Sequence, residues 1–438
     1  MNLISQLEET LHKASANPWD KDLRLQGWRV LVHESEAVSL GLKDNVSGSV
    51  YAPPSYRLGE SGEVFLVWDD GRCSRGKVHN ALSAGNFWQD KLKEWRQGSY
   101  EDPDGAVIPN PQPLPLVAVE DLKVQKILKG DDSILFDQVK HVIQEKPSDS
   151  KVQGNFQAAW GYRHLRTSSG LAITYQESYY TFWYSFDRLV SAGYAKRRLP
   201  AAQEWEGLWT RTHQYYEALT LKAEAAWPGT VVVFAPAVVA EMLEQFVLPN
   251  LDGQSVLDGH SAFRREEFRG GRRVFDRRVS LVIDPLKPLA WGSYLVTGEG
   301  IPAQRTELVT AGVLTSPYLR LKDARRWGGE PTGLAQGSEG AYLAPSEEER
   351  WPEVLQDIED GVLVLSVLGL HTQDPVSGNY SLSAPQSIRI KKGRLAGKAD
   401  VKLTGSFFKD LASPESRYAR SPLADQPYML VRTGVNQL

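Results

Sequence analysis

The stretch from Gly361 to Leu411 constrains the fold more than any other. It opens with a run dense in Val and Leu, Val362 to Leu370, the composition of a strand covered on both faces. His371-Thr372-Gln373-Asp374-Pro375 breaks that run, and Ser377-Gly378-Asn379 supplies a turn. Short alternating segments follow, Ser387 to Ile390 and Val401 to Leu403, set apart by Lys391-Lys392-Gly393 and Gly405. This spacing predicts a meander of antiparallel strands with a polar cluster at its first bend.

A chain of 438 residues is too long for one ordinary domain and suggests two or three. At 41% hydrophobic and 24% charged residues, core material is not limiting. A net charge of −4 argues against broad electrostatic capture of nucleic acid. The single cysteine, Cys73, excludes an internal disulfide and a multi-cysteine zinc site. No apolar run reaches membrane-spanning length and the first residues have no apolar signal core, so a cytoplasmic protein without a membrane partner is expected.

Along the chain, Leu3 to Lys13 reads as a short amphipathic helix. Trp28 to Val32, Ala37 to Leu42 and Gly48 to Tyr51 read as successive strands, and Val64 to Trp68 runs into a tight turn at Asp69-Asp70-Gly71-Arg72. Residues 81 to 100 have helical spacing through Phe87, Trp88, Leu92 and Trp95. Prolines 103, 109, 111, 113 and 115 predict a stiff connector over the surface. Ser133 to Lys146 reads as a helix, and Val152 to Arg166 and Ala172 to Phe186 as a hairpin around Ser168-Ser169-Gly170. A long helix is expected over Ala201 to Ala226, then a strand at Thr230 to Phe234 opening a second domain, then a helix over Ala237 to Val247 ended by Pro249. A further helix is expected from Ser346 to Asp360, with Ser346 and Glu349 at capping-box spacing.

The bend carries Gly369, His371, Thr372, Pro375, Ser377, Gly378, Tyr380 and Ser381, and in this it resembles the signature of the TldD/PmbA family of bacterial metalloprotease-related proteins, once labelled modulators of DNA gyrase. It departs at Asp374 and Asn379, where the family has Asn and Asp. Asp284-Pro285, then Gly300 through Thr306, Leu308 through Leu314, and Ala324 through Gly333 follow the family's order of motifs. The N-terminal half is similar only in its order of strands and helices. The resemblance implies an α+β fold. Residues 1–227 would form an N-terminal α/β domain with a mixed sheet and helices, and 228–438 a C-terminal, largely antiparallel β domain with a few helices.

The family has two kinds of subunit. The TldD kind carries His-Glu-x-x-x-His on the first helix of its C-terminal domain, and a Cys further on, as zinc ligands. The TldE/PmbA kind lacks them and pairs with the first to enclose a peptide. In this sequence those helix positions hold Glu241, Met242 and Phe246. The chain's eight histidines (12, 33, 79, 141, 164, 213, 260 and 371) include no two within ten residues, so no helical His pair can form. The resemblance therefore implies a TldE/PmbA-like subunit without the zinc motif, with no cofactor of its own and zinc only in a TldD-type partner.

Around the bend, His371, Thr372, Asp374, Ser377, Gly378, Asn379 and Tyr380 are the candidate cleft residues. His371 either lines a peptide cleft or is a buried histidine that satisfies turn carbonyls. Arg264, Arg265, Arg269, Arg272, Arg273, Arg277 and Arg278 form the most basic stretch, with Gly270-Gly271 suggesting a turn between strands. Nucleic-acid contact is one reading; a solvated face or polar interface fits an acidic chain better. The aromatic run from Tyr175 to Phe186 suits buried strand packing more than a binding platform. Gly298-Glu299-Gly300, followed by Pro302 and with no βαβ context, does not make a dinucleotide fingerprint.

The expected role is a non-catalytic subunit that dimerises with a TldD-type chain and encloses unfolded or flexible peptides for proteolysis, held by strand addition. The alternative is a self-associating peptide- or protein-binding module with no peptidase partner. A hydrolase using Glu241 and Glu244 would need a constellation that the sequence does not contain.

Overall fold

A computed structural model describes residues 2–48, 50, 52–79, 86–222, 230–334 and 340–437. The expected domain boundary at 227/228 falls outside these residues, as do parts of the helices expected over 81–100 and 201–226.

Leu25–Lys43 is one strand of 19 residues, not two. It pairs along its length with Ser55–Trp68 on one side and Val152–Thr167 on the other. The polar residues His33 to Glu36 sit inside this ladder with backbone partners on both sides, so nothing obliges the chain to turn there. Of the strand expected at Gly48 to Tyr51, only the adjoining Val46–Ser47 pairs, and residues 49 and 51 lie outside the described residues. The turn after Trp68 forms as expected, with Gly71 at φ +81°. The sheet runs Tyr100–Glu101, Arg72–His79, Ser55–Trp68, Leu25–Lys43, Val152–Thr167, Ala172–Phe186, Val190–Lys196, antiparallel throughout.

Helices cover one face of this sheet. Leu3–Ala16 presses Leu3, Leu7 and Leu11 against Trp28, Val30, Val32 and Leu66, and Phe87–Gln97 adds Leu92 and Trp95. Further along, Leu122–Leu128, Ser133–Gln144 and Ala202–Thr220 bury Phe156, Tyr180, Phe182, Tyr184 and Phe186. Alternate residues of the aromatic run are thus core, at ~1.5–3 kcal/mol for each large side chain removed from water, while Trp183 points outward. The proline-rich connector has no helix or strand. It is tied down rather than loose: Ser169 Oγ donates to Pro109 O at 2.6 Å and Leu289 N to Ala118 O at 2.8 Å.

The second large sheet runs Glu349–Arg350, Arg417–Arg420, Tyr428–Val431, Val231–Phe234, Asp360–Val364, Ser387–Lys391, Arg394–Lys398. Val231–Phe234 and Asp360–Val364 are parallel, as are the edge strand Glu349–Arg350 and its neighbour Arg417–Arg420. Helix Ala202–Thr220 lies between the two large sheets, with the Tyr215 and Tyr428 hydroxyls 3.0 Å apart. Val233 and Leu363 face that helix, whereas Val232, Phe234, Val362 and Val364 face another core. Both faces are buried, which is why this strand reads as an uninterrupted Val/Leu run.

Two expectations about this region need correction. The strand ends at Val364; residues 365–368 leave the sheet, and Leu368 is 59% exposed. Nor do the following strands form a single meander. Ser387–Lys391 and Arg394–Lys398 stay with the large sheet, while Asn379–Ala384 and Val401–Ser406 join Gly434–Gln437 in a separate three-stranded sheet. Ile388 and Ile390 bury toward the helix-lined core, and Leu382, Val401 and Leu403 toward the other.

Three further differences concern helices and turns. The helix expected to stop before Pro249 continues over residues 236–251, through Pro236–Met242, a π-turn at Leu243–Val247 and Leu248–Leu251. Pro249 lies in the first turn beyond the π-turn, where its missing N–H costs little. The helix expected from Ser346 begins only at Trp351, with Pro352 in its first turn; Ser346 N bonds to Arg278 O, and Glu349 pairs with Arg417 instead of capping. Gly270-Gly271 follows the one-turn helix Arg265–Arg269, not a strand. Among the described residues, no helix is long and apolar enough to cross a membrane.

Candidate functional site

The helix at 236–251 and the bend at 369–380 lie against each other. Along the helix Val238, Met242 and Phe246 form one buried row and Val239, Leu243 and Val247 the next. Asn250 continues the first row, 1% exposed. A buried amide needs partners, and they come from the bend and a neighbouring loop. Asn250 Nδ2 donates to Pro375 O at 2.9 Å and to Phe246 O at 2.7 Å, while its Oδ1 accepts from Ala262 N at 2.6 Å. One turn earlier, Gln245 Nε2 donates to Gln373 O at 2.9 Å.

The bend is also stitched internally. Gly369, at φ +89°, leads into a short 3-10 turn at Leu370–Thr372. Thr372 Oγ1 donates to Gly369 O at 2.8 Å, and the Asp374 carboxylate accepts from the N–H groups of Val376 and Ser377 at 3.1 and 3.2 Å. Ser377 Oγ donates to Asp374 O and accepts from Asn379 N. Gln373 reaches along the outside of strand Asn379–Ala384 and accepts from Ser381 N at 3.0 Å. Leu368 and Ser383 exchange backbone hydrogen bonds beside it, so the chain covers part of its own strand edge.

His371 is exposed and makes no hydrogen bond among the described residues, so it is not a buried histidine holding turn carbonyls. Thr372 and Gln373 do that work on Gly369 O, while Asp374 holds two turn N–H groups. Asn379 is exposed, and Tyr380 turns inward to 3% exposure. Its hydroxyl donates to Asp410 Oδ2 at 2.9 Å and lies 3.0 Å from Thr433 Oγ1. Burial pushes the Asp410 carboxyl up to about 6, against the hydrogen bond from Tyr380. The sequence reading missed Gln245, Asn250, Asp410 and Thr433. Asn250 did leave a trace: it is a polar residue on the same four-residue spacing as Val238, Met242 and Phe246.

Zinc does not fit the donor set. Of the helix positions Glu241, Met242 and Phe246, the last two are fully buried in the apolar core, and neither offers an imidazole or a carboxylate. Partial burial, and then the charge of Glu244, push the Glu241 carboxyl above its ordinary value. Among the described residues, no three His, Cys, Asp or Glu side chains cluster as metal ligands. At least four of the seven arginines in the basic stretch are spent internally: Arg265 donates to Trp327 O, Arg273 to Ala311 O, Arg272 pairs with Glu267, and Arg278 with Asp276.

Residues 229–432 match the model of the PmbA/TldA metallopeptidase C-terminal domain. An uncharacterised protein of Methanocaldococcus jannaschii is 23% identical over 384 residues, 84% of this chain and 85% of its own length. A protein named metalloprotease from Methanothermobacter thermautotrophicus is 30% identical over 171 residues, 37% of this chain and 35% of its own. TldE from Thermococcus kodakarensis shares the fold with a TM-score of 0.80 at 17% identity over 99% of both chains. A Thermotoga maritima protein described as a candidate modulator of a DNA gyrase gives 0.80 at 18% identity, over 99% of this chain and 100% of its own. The matched domain contains both the helix and the bend; over residues 229–432 the chain is similar to the PmbA/TldA family, and its overall fold is like that of TldE.

Proposed function

We propose that this chain is a non-catalytic, TldE/PmbA-like subunit that pairs in the cytoplasm with a zinc-bearing TldD-type chain and helps enclose unfolded or flexible peptides for cleavage by that partner. The observation that carries this reading is the content of the 236–251 helix. Its metal-motif positions hold Met242 and Phe246 as core side chains, while the same helix spends Gln245 and Asn250 on fixing the bend. A surface shaped and held in this way suits enclosure rather than chemistry. His371, Thr372 and Asn379 stand exposed along the bend as polar contacts for a peptide backbone. Strand Gly434–Gln437 has no strand partner on its outer side among the described residues, and a peptide adds there as a further strand.

The test is metal content, peptide cleavage and co-purification on one preparation. The chain alone is expected to hold less than about a tenth of an equivalent of zinc and to leave an unfolded peptide intact, and a TldD-type chain is expected to co-purify with it. A full equivalent of zinc with chelator-sensitive cleavage would overturn the non-catalytic role. A self-associated form that binds peptide but no TldD-type chain would replace it with the self-associating module.

A further inference from the structure

The face of the large N-terminal sheet away from Val30 and Val32 carries Arg29, Leu31 and His33, by strand alternation. Loops from the second half of the chain cover it, and between the two lies a cavity of about 440 Å3. Its lining includes Arg29, Phe65, Arg75, Glu299, Tyr318 and Arg320.

Arg29 is the unusual member. It is 7% exposed, yet its guanidinium makes no hydrogen bond among the described residues. Its one ion pair, to Glu299 Oε1, is long at 3.7 Å. The other oxygen of Glu299 is committed to Leu321 N at 2.8 Å. Arg75 comes against the same aromatic ring: the guanidinium carbons of Arg29 and Arg75 lie 4.5 and 5.4 Å from the Phe65 centroid. Arg75 has no carboxylate partner among the described residues. The other lining charges are matched, Lys77 with Glu63 at 3.2 Å and Arg320 with Asp323 at 2.8 Å. A buried guanidinium with unused donors beside a second, unpaired one is costly unless an anion completes it. Burial pushes Arg29 below its ordinary value, and the charge of Arg75 adds to that.

We propose that this cavity is a binding site for a small anionic molecule, with its carboxylate or phosphate head on Arg29 and Arg75 and its body along Leu31, Phe65 and Tyr318. Two guanidinium forks match the paired oxygens of either head group. The site is independent of the peptide-enclosing role and uses none of the residues of the helix or the bend.

The test is calorimetric titration of the full chain with inorganic phosphate and, separately, with succinate, at fixed ionic strength. A saturable single site for either anion is expected, phosphate alone marking a phosphate-bearing ligand and succinate alone a carboxylate-bearing one. Arg75→Ala, an exposed position that the fold tolerates, is expected to weaken binding at least about ten-fold, and Lys77→Ala less than about three-fold because Lys77 is already paired. No saturable binding of either anion up to about 10 mM, or binding that Arg75→Ala leaves unchanged, would overturn the proposal.

Discussion

Asn250 donates to the carbonyl of Pro375 at 2.9 Å across 125 residues of sequence, and so joins the end of a buried helix to the bend that carries the family motif. Asn250→Ala removes that bond and those to Phe246 and Ala262, leaving buried backbone groups without partners. A loss of about 2–4 kcal/mol in urea unfolding is expected, with faster proteolysis in residues 369–380. Gln245→Ala, which removes one bond to Gln373 O, costs about 1 kcal/mol. Equal effects of the two substitutions would show that the anchor is not Asn250.

Asp410 gives the fold an acid-side signature. Its carboxyl is raised from 3.8 to about 6, so between those values the folded chain binds more protons than the unfolded one. Stability contributed by this group therefore falls as pH rises through that window, by an order of about 3 kcal/mol in total. Asp410→Asn keeps an oxygen for Tyr380 and carries no charge to desolvate. It is expected to match the wild type near pH 4 and to exceed it at pH 7.5; an unchanged pH slope would contradict the assignment.

Glu177 is the opposite case. Burial would raise its carboxyl, but a hydrogen bond from His33 and the charges of Arg163 and Arg197 outweigh that and hold it at about 2. Glu177→Gln leaves Arg197, 3% exposed, without its counter-charge. A loss of about 3–5 kcal/mol at pH 7 is expected in denaturant titrations. A loss below ~1 kcal/mol would mean that solvent already serves these arginines.

Gly378 and Gly369 share positive φ, at +65° and +89°, but not their surroundings. A Cβ at Gly378 would meet the Phe408 ring at 2.8 Å, whereas at Gly369 nothing lies within 4 Å. Gly369→Ala is expected to cost only the backbone strain, ~1–2 kcal/mol, and Gly378→Ala distinctly more. Thermal unfolding of the pair checks the order.

What the sequence disclosed was local. The hairpin of Val152–Thr167 and Ala172–Phe186 could be read because period-two alternation and the Ser168-Ser169-Gly170 turn are both properties of neighbours. The allotment of strands after Gly378 to two sheets could not, because Ile388-Arg389-Ile390 and Val401-Lys402-Leu403 alternate alike and only their distant partners separate them. The capping-box pattern at Ser346 and Glu349 lost to two long-range partners, Arg278 O and the Arg417 side chain. At the site, the bend residues announced themselves by composition. Asp410 did not, because one acid in Phe407-Phe408-Lys409-Asp410-Leu411 looks solvated until the fold buries it.

The widened turn at Leu243–Val247 has a consequence for reach. Rows spaced by four residues drift around an ordinary helix by ~40° per step, so over three steps, from Val238 to Asn250, the last member would stand ~120° away from the first. Leu248 N bonds to Leu243 O, five residues back, and this one extra residue in the turn cancels ~100° of that drift. Asn250 therefore arrives under the bend on the same side as Val238. At unchanged length, a return of residues 243–247 to the usual winding would swing the amide away from Pro375, so the winding of a single turn decides whether helix and bend are joined.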